Sequence, residues 1–152
     1  MFIFKNPKIG GEVTPHQDAS YLYTNPQTLY GIWIALEDTT IENGCLWFEP
    51  GSHKGELTKR FIRNPDKASD KYTTYTGEDP EYKIEKFTPV PVKKGSCVII
   101  HGKVVHLSKP NTSNISRNIY TFHVFDQDGT TYSKDNWIQP EENSPFLSVY
   151  KN

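Results

Sequence analysis

The apolar residues of this chain recur at a spacing of two, in short runs cut by glycine, proline and asparagine, and no segment carries a convincing helical period. Tyr30 to Leu36 reads YGIWIAL, which puts Ile32, Ile34 and Leu36 on one face of an extended chain and Trp33 on the other. Arg117 to Phe125 alternates in the same way, with Ile119, Thr121, His123 and Phe125 on the face of Arg117. The Asn43-Gly44 pair predicts a hairpin that joins Tyr30–Leu36 to the run Cys45-Leu46-Trp47-Phe48. Ser96 to Ile100 is the most apolar stretch and predicts a buried strand. Pro89 and Pro91 confine Phe87 to Val92 to an edge or irregular strand. Residues 53–86 are polar and of mixed charge, and read as a long loop, either a solvated excursion or the cover of a site. Short strands with such punctuation predict an all-β sandwich or jelly roll. A length of 152 residues predicts one domain over 1–152.

Composition removes several classes of function. A net charge of -1 leaves no basic face for nucleic acid. No apolar run approaches the about 20 residues that a membrane helix needs. The chain opens without a charged leader and apolar stretch, so secretion is not expected. Its last tripeptide, Tyr150-Lys151-Asn152, is not a peroxisomal signal. Cys45 and Cys97 are then expected as packed, reduced thiols in the cytoplasm. Oligomeric state is left open.

The segment Thr14-Pro15-His16-Gln17-Asp18 carries the chemistry. Residues i and i+2 of an extended chain point to one side, about 6–7 Å apart at the backbone, so His16 and Asp18 can reach one metal ion. Alone, such a pair reads more often as a polar strand end. A second histidine, His106, follows the apolar strand at 97–100, and Arg117 comes eleven residues later on the next strand. Two histidines and one carboxylate on one face of an octahedron leave three positions open, which is the ligand set of non-haem Fe(II) oxygenases. An arginine inside a mostly apolar barrel needs an anion partner, because an unpaired buried charge is costly.

Three stretches carry a family resemblance: GGEVTPHQDASYLY, WIALEDTTIENGCLWFEPGSH and IIHGKVVHLSKPNTSNISRNIYTFHV. In this order they resemble the phytanoyl-CoA hydroxylase (PhyH) family, and the resemblance extends over nearly the whole chain. It implies a double-stranded β-helix (cupin-like jelly roll) and an oxygenase that uses Fe(II), 2-oxoglutarate and O2 on a small-molecule substrate, with ascorbate as a possible reductant. Carried over by position, His16, Asp18 and His106 match the metal ligands, and Arg117 matches the arginine on the distal carboxylate of 2-oxoglutarate. Trp33 matches a tryptophan beside the co-substrate, against the reading of a core aromatic. Met1 falls where a further co-substrate contact lies, against the reading of a frayed terminus. The interval to Arg117 favours His106 over His101 as third ligand. His53 is expected in a structural turn, and His123 in the core or behind a ligand.

Two departures stand out. Ile115 occupies a position where a close relative has a second arginine. The family also carries a segment before the H-x-D region, with helices that back the sheet and a lysine near the co-substrate. The chain is therefore expected to be the C-terminal part of a family protein, without that helical layer. The implied activity is hydroxylation with release of succinate and CO2. A carboxylate at Asp18 favours hydroxylation over halogenation, which needs a ligand position freed for halide. The rival expectations are a non-oxygenase, cupin-like metal-binding module and a catalytically silent fragment. The prime substrate is not legible in the sequence.

Overall fold

The period-two pattern becomes two antiparallel four-stranded sheets in a computed structural model that describes residues 1–150, so Lys151 and Asn152 of the last tripeptide lie outside the described residues. In chain order the strands are β1 (Phe2–Lys5), β2 (Val13–His16), β3 (Thr24–Asn25), β4 (Tyr30–Ala35), β5 (Leu46–Phe48), β6 (Lys59–Arg63), β7 (Thr73–Gly77), β8 (Thr88–Val90), β9 (Cys97–His101), β10 (His106–Ser108), β11 (Arg117–Val124) and β12 (Thr131–Tyr132). The first sheet runs β1-β11-β4-β9 and the second β2-β10-β5-β8. Buried residues from both sheets form one core: Trp33, Ala35, Ile100 and Ile119 from the first meet Leu46 from the second. Fully burying a side chain such as Ile119 contributes about 1.5–3 kcal/mol. This is the expected double-stranded β-helix, in which inward side chains of alternate strands face each other across the interior.

The backs of the two sheets differ. Behind the second sheet, Phe87, Val105 and Leu107 are buried together, with Trp47 and Tyr82 packed on them. Behind the first sheet the apolar residues stay open: Phe4 is 62% exposed and Ile99 67%. Phe2, Tyr120 and Phe122 continue this open face, with the rings of Phe2 and Tyr120 4.8 Å apart.

Three expectations about elements need correction. Asn43-Gly44 does not close a hairpin. β4 pairs with β9 and β11, whereas β5 pairs with β10 and β8. The turn instead carries the chain from one sheet to the other, and Gly44 is needed there: its φ is +92, and a Cβ would come within 2.7 Å of the Lys109 carbonyl oxygen. The 97–101 strand is not buried on both faces. As a sheet edge it buries Ile100 alone, and Cys97, expected as a packed thiol, is exposed. The polar segment at 53–86 is not a structureless loop, because its middle folds into the hairpin β6–β7. The strand β8 is an edge, as Pro89 within it and Pro91 just after it require. No helix of the described residues is long and apolar enough to cross a membrane.

Candidate metal centre

His16 and His106 end up side by side because β2 and β10 are neighbours and these two residues are direct partners in the ladder. Their rings are 4.3 Å apart. The register shifts between this pair and Ser108–Val13, so a bulge accommodates Thr14 and Pro15, the latter having no N–H for the ladder. The chain stays extended through Gln17, then turns at Asp18–Ser20 into one 3-10 turn. Asp18 is thus on a turn and not on the strand, but the extended Gln17 still puts its side chain on the side of His16. The turn is pinned to the β9–β10 loop. The Ala19 N–H donates to the Gly102 carbonyl at 2.8 Å, and the Gln17 side-chain amide donates to the Lys103 carbonyl at 2.7 Å.

The three side chains converge on one point. The Nε2 atoms of His16 and His106 lie 3.6 and 3.7 Å from Asp18 Oδ1. One ligand atom from each of the three lies within 4.8 Å of the others. Donors about 2 Å from a shared ion lie about 3 Å apart when adjacent, so the three are close to coordinating separation. Each histidine is also set in one tautomer. His16 Nδ1 is 2.8 Å from the Thr14 carbonyl and His106 Nδ1 is 3.1 Å from the Val104 carbonyl. A proton on Nδ1 leaves the Nε2 lone pair free for a metal. Charge follows the same pattern. Burial would raise the Asp18 carboxyl, but the nearby imidazoles of His123, His16 and His106 outweigh it and hold the group well below the usual carboxylate range. Burial pushes His106 down to about 4, which keeps its imidazole neutral. For His16, burial is opposed and outweighed by its contact with Asp18, and its affinity for a proton rises. Among the described residues this buried carboxylate meets only imidazole nitrogens, with no lysine or arginine at salt-bridge distance.

A second, opposite deficit lies beside it. Arg117 is only 1% exposed. Its Nε donates to the Gly44 carbonyl at 3.0 Å and Nη2 to Ser108 Oγ at 2.9 Å, while Nη1 is buried without a partner. The guanidinium carbon sits 5.6 Å from the ring centre of Trp33. Burial pushes Arg117 down to about 10, still a cation at neutral pH. Lys5, its ladder partner on β1, is also buried and is spent on the carbonyls of Gly11, Ser108 and Lys109. Burial and the charge of Arg117 lower Lys5 to about 8. Among the described residues neither cation has a carboxylate within salt-bridge distance.

The remaining sequence candidates fall on either side. Trp33 is a core residue and lies beside Arg117. Met1 pairs through its backbone with Thr121 at the sheet edge and is 67% exposed. His101 and His53 lie with their rings 5.3 Å apart and tilted to each other, and stand outside the metal cluster. Ile115, in the place of a second arginine, is exposed. Sequence reasoning misses Ser108 and Lys5. Ser108 could have been found, since it lies two residues after His106 on one strand; Lys5 reaches Arg117 only through the β1–β11 register.

Comparison with known proteins is consistent with this geometry. The sequence model described as phytanoyl-CoA dioxygenase (PhyH) matches residues 1–119. The phytanoyl-CoA dioxygenase domain-containing protein 1 of Danio rerio is 52% identical over 151 residues, covering 99% of this chain and 52% of that protein. The chain thus spans about half the length of the curated relatives it matches. Among solved structures, EvdO2 from Micromonospora carbonacea var. aurantiaca, complexed with 2-oxoglutarate, superposes with a TM-score of 0.65 at 24% identity, over 89% of this chain and 53% of that one, and speaks for the fold alone. The epimerase SnoN, in complex with Fe3+, alpha ketoglutarate and nogalamycin RO, superposes with a TM-score of 0.60 at 26% identity, over 86% of this chain and 49% of that one.

Proposed function

This chain belongs to the phytanoyl-CoA dioxygenase family, and from that premise we propose that it is an Fe(II)- and 2-oxoglutarate-dependent dioxygenase that hydroxylates a small organic substrate. His16, Asp18 and His106 would hold the metal. Iron and 2-oxoglutarate, when bound, supply the oxidation of a C–H bond by dioxygen, with succinate and CO2 released.

One observation carries the reading. Ser108, which is bonded to Arg117, stands two residues from His106 on the same strand and is therefore on the same face. Two residues of strand span about 6–7 Å. A cation that lacks an anion thus lies one short molecule away from a carboxylate that lacks a cation. A five-carbon dicarboxylate with a keto group at one end meets both demands. Its distal carboxylate would take the free Nη1 of Arg117, with Ser108 fixing the plane of the guanidinium. Trp33 would cover the chain of the co-substrate, and Met1, on the inward face by register, would touch it at the edge.

The hairpin β6–β7 walls the metal side. Phe61 and Tyr75 pack on each other at 4.8 Å, and Phe61 lies 5.7 Å from Tyr21, whose ring meets His16 edge-on at 6.1 Å. An apolar wall of this kind keeps water from the reacting centre. The test is succinate formation from 2-oxoglutarate with Fe(II), ascorbate and O2. Uncoupled turnover is expected without a prime substrate, and its absence in metal-loaded protein refutes the assignment. The open apolar back of the first sheet favours a second reading, a catalytically silent module. Retained metal binding with no succinate selects it.

A further inference from the structure

The two oxygens of Asp18 have different surroundings. Oδ1 faces the Nε2 atoms of His16 and His106. Oδ2 points the other way and lies 3.1 Å from Nε2 of His123. His123 comes from β11, six residues beyond Arg117 and on the same inward face. Its ladder partner on β4 is Gly31. A Cβ at position 31 would stand 3.0 Å from Oδ2 and 3.3 Å from Cβ of Ile100, so Oδ2 rests against bare backbone on that side. One imidazole nitrogen thus stands at contact distance from Oδ2, and one missing side chain leaves room beside it.

This matters because a carboxylate can bind a metal through one oxygen or two. Three protein donors on an octahedral ion leave three positions. A chelating co-substrate and dioxygen use all three, and a two-oxygen Asp18 would take one of them. We propose that His123 is a positioning residue that restricts Asp18 to one-oxygen coordination by holding Oδ2, with Gly31 as the cradle of that oxygen. The inference rests on the metal reading of the preceding section. His123 is not a fourth ligand in this arrangement, because its nitrogen approaches the oxygen turned away from the cluster.

The test uses Mn(II) as the probe. Mn(II) affinity is read by the paramagnetic resonance of the free ion, and the number of metal-bound waters by water-proton relaxation of the loaded protein. His123→Ala is expected to weaken Mn(II) about 10–100-fold, the range for loss of a group behind a ligand. It is also expected to lower the relaxation enhancement by about one third, as one of three open positions is lost. His123→Gln, which keeps an N–H donor, is expected to restore both. Gly31→Ala puts a methyl against the same oxygen and against the His123 ring, and is expected to shift both in the direction of His123→Ala. It carries the test should His123→Ala fail to fold. Unchanged relaxation in both His123→Ala and Gly31→Ala overturns the proposal, including the case where the metal-free protein merely melts earlier. A wild-type chain that binds no Mn(II) overturns the metal reading instead.

Discussion

The interior of this barrel has two polar ends that fail electrically in opposite ways. At one, Asp18 is buried among His16, His106 and His123, an anion short of a cation. At the other, Arg117 and Lys5 are buried among carbonyls and one hydroxyl, two cations short of an anion. Either end alone would be an expensive feature, because desolvated charge is costly unless it is paired. Side by side, the two deficits describe a ligand pair of metal and dicarboxylate. Under the proposed function the difference between the ends would also separate their roles: one would set coordination chemistry, and the other which co-substrate is held and in what direction.

The largest break is expected at the metal end. Asp18→Ala removes the only carboxylate there. It should weaken Mn(II) or Fe(II) by more than the about 10–100-fold typical of an outer partner, in a metal titration. His101→Ala, at a ring that meets His53 at a tilt and Tyr30 edge-on, should leave the same titration unchanged. Loss of metal in His101→Ala with retention in His106→Ala would reverse the assignment of the third ligand.

Arg117→Met separates the ends. Truncating one partner of a buried charge pair costs about 2–5 kcal/mol, a fall of about 30- to 5000-fold in 2-oxoglutarate affinity by calorimetry, with metal affinity retained. Without co-substrate the same substitution should not lower the melting temperature, since it removes a buried cation that has no carboxylate. A lower melting temperature would mean that Arg117 serves the fold before it serves a ligand.

The smallest effect belongs to Lys5 and appears as a pH dependence. Its folded value of about 8 lies below the ordinary lysine value of 10.5, because of burial and Arg117, with Glu12 acting in the opposite direction. Between these values the unfolded chain keeps the proton that the folded chain gives up. The Lys5 contribution to stability therefore rises with pH across that window. Melts of the metal-free protein at both ends of the window should show this rise in wild type relative to Lys5→Met. Parallel profiles would show that Lys5 is not strained.

These ends were legible in the sequence to different degrees. His16 and Asp18 follow from a local spacing, and His106 with Arg117 from the order of strands and the resemblance, so the metal end could be written down in advance. The 3-10 turn under Asp18 could not, because nothing in Gln17-Asp18-Ala19 competes with continued strand. Lys5 was invisible because its meaning depends on pairing with Arg117 from the opposite end of the chain. The same limit explains Asn43-Gly44: turn chemistry fixes a reversal of direction but not which sheet receives the next strand. In 59–63, the alternation of Lys59, Phe61 and Arg63 is hidden by charged residues on both faces of a hairpin that packs through Phe61. Ser96 to Ile100 is apolar on both faces, yet only Ile100 is fully buried, with Val98 partly buried against the core and Cys97 and Ile99 exposed.

The account is tested most directly by titrating 2-oxoglutarate into the chain with and without Mn(II), anaerobically and by calorimetry. If one ligand bridges the two ends, metal should tighten 2-oxoglutarate by about tenfold or more, and 2-oxoglutarate should tighten metal by the same factor. Asp18→Ala should abolish that coupling, and Arg117→Met should weaken binding at either metal concentration. Equal affinity for 2-oxoglutarate with and without metal would contradict the account.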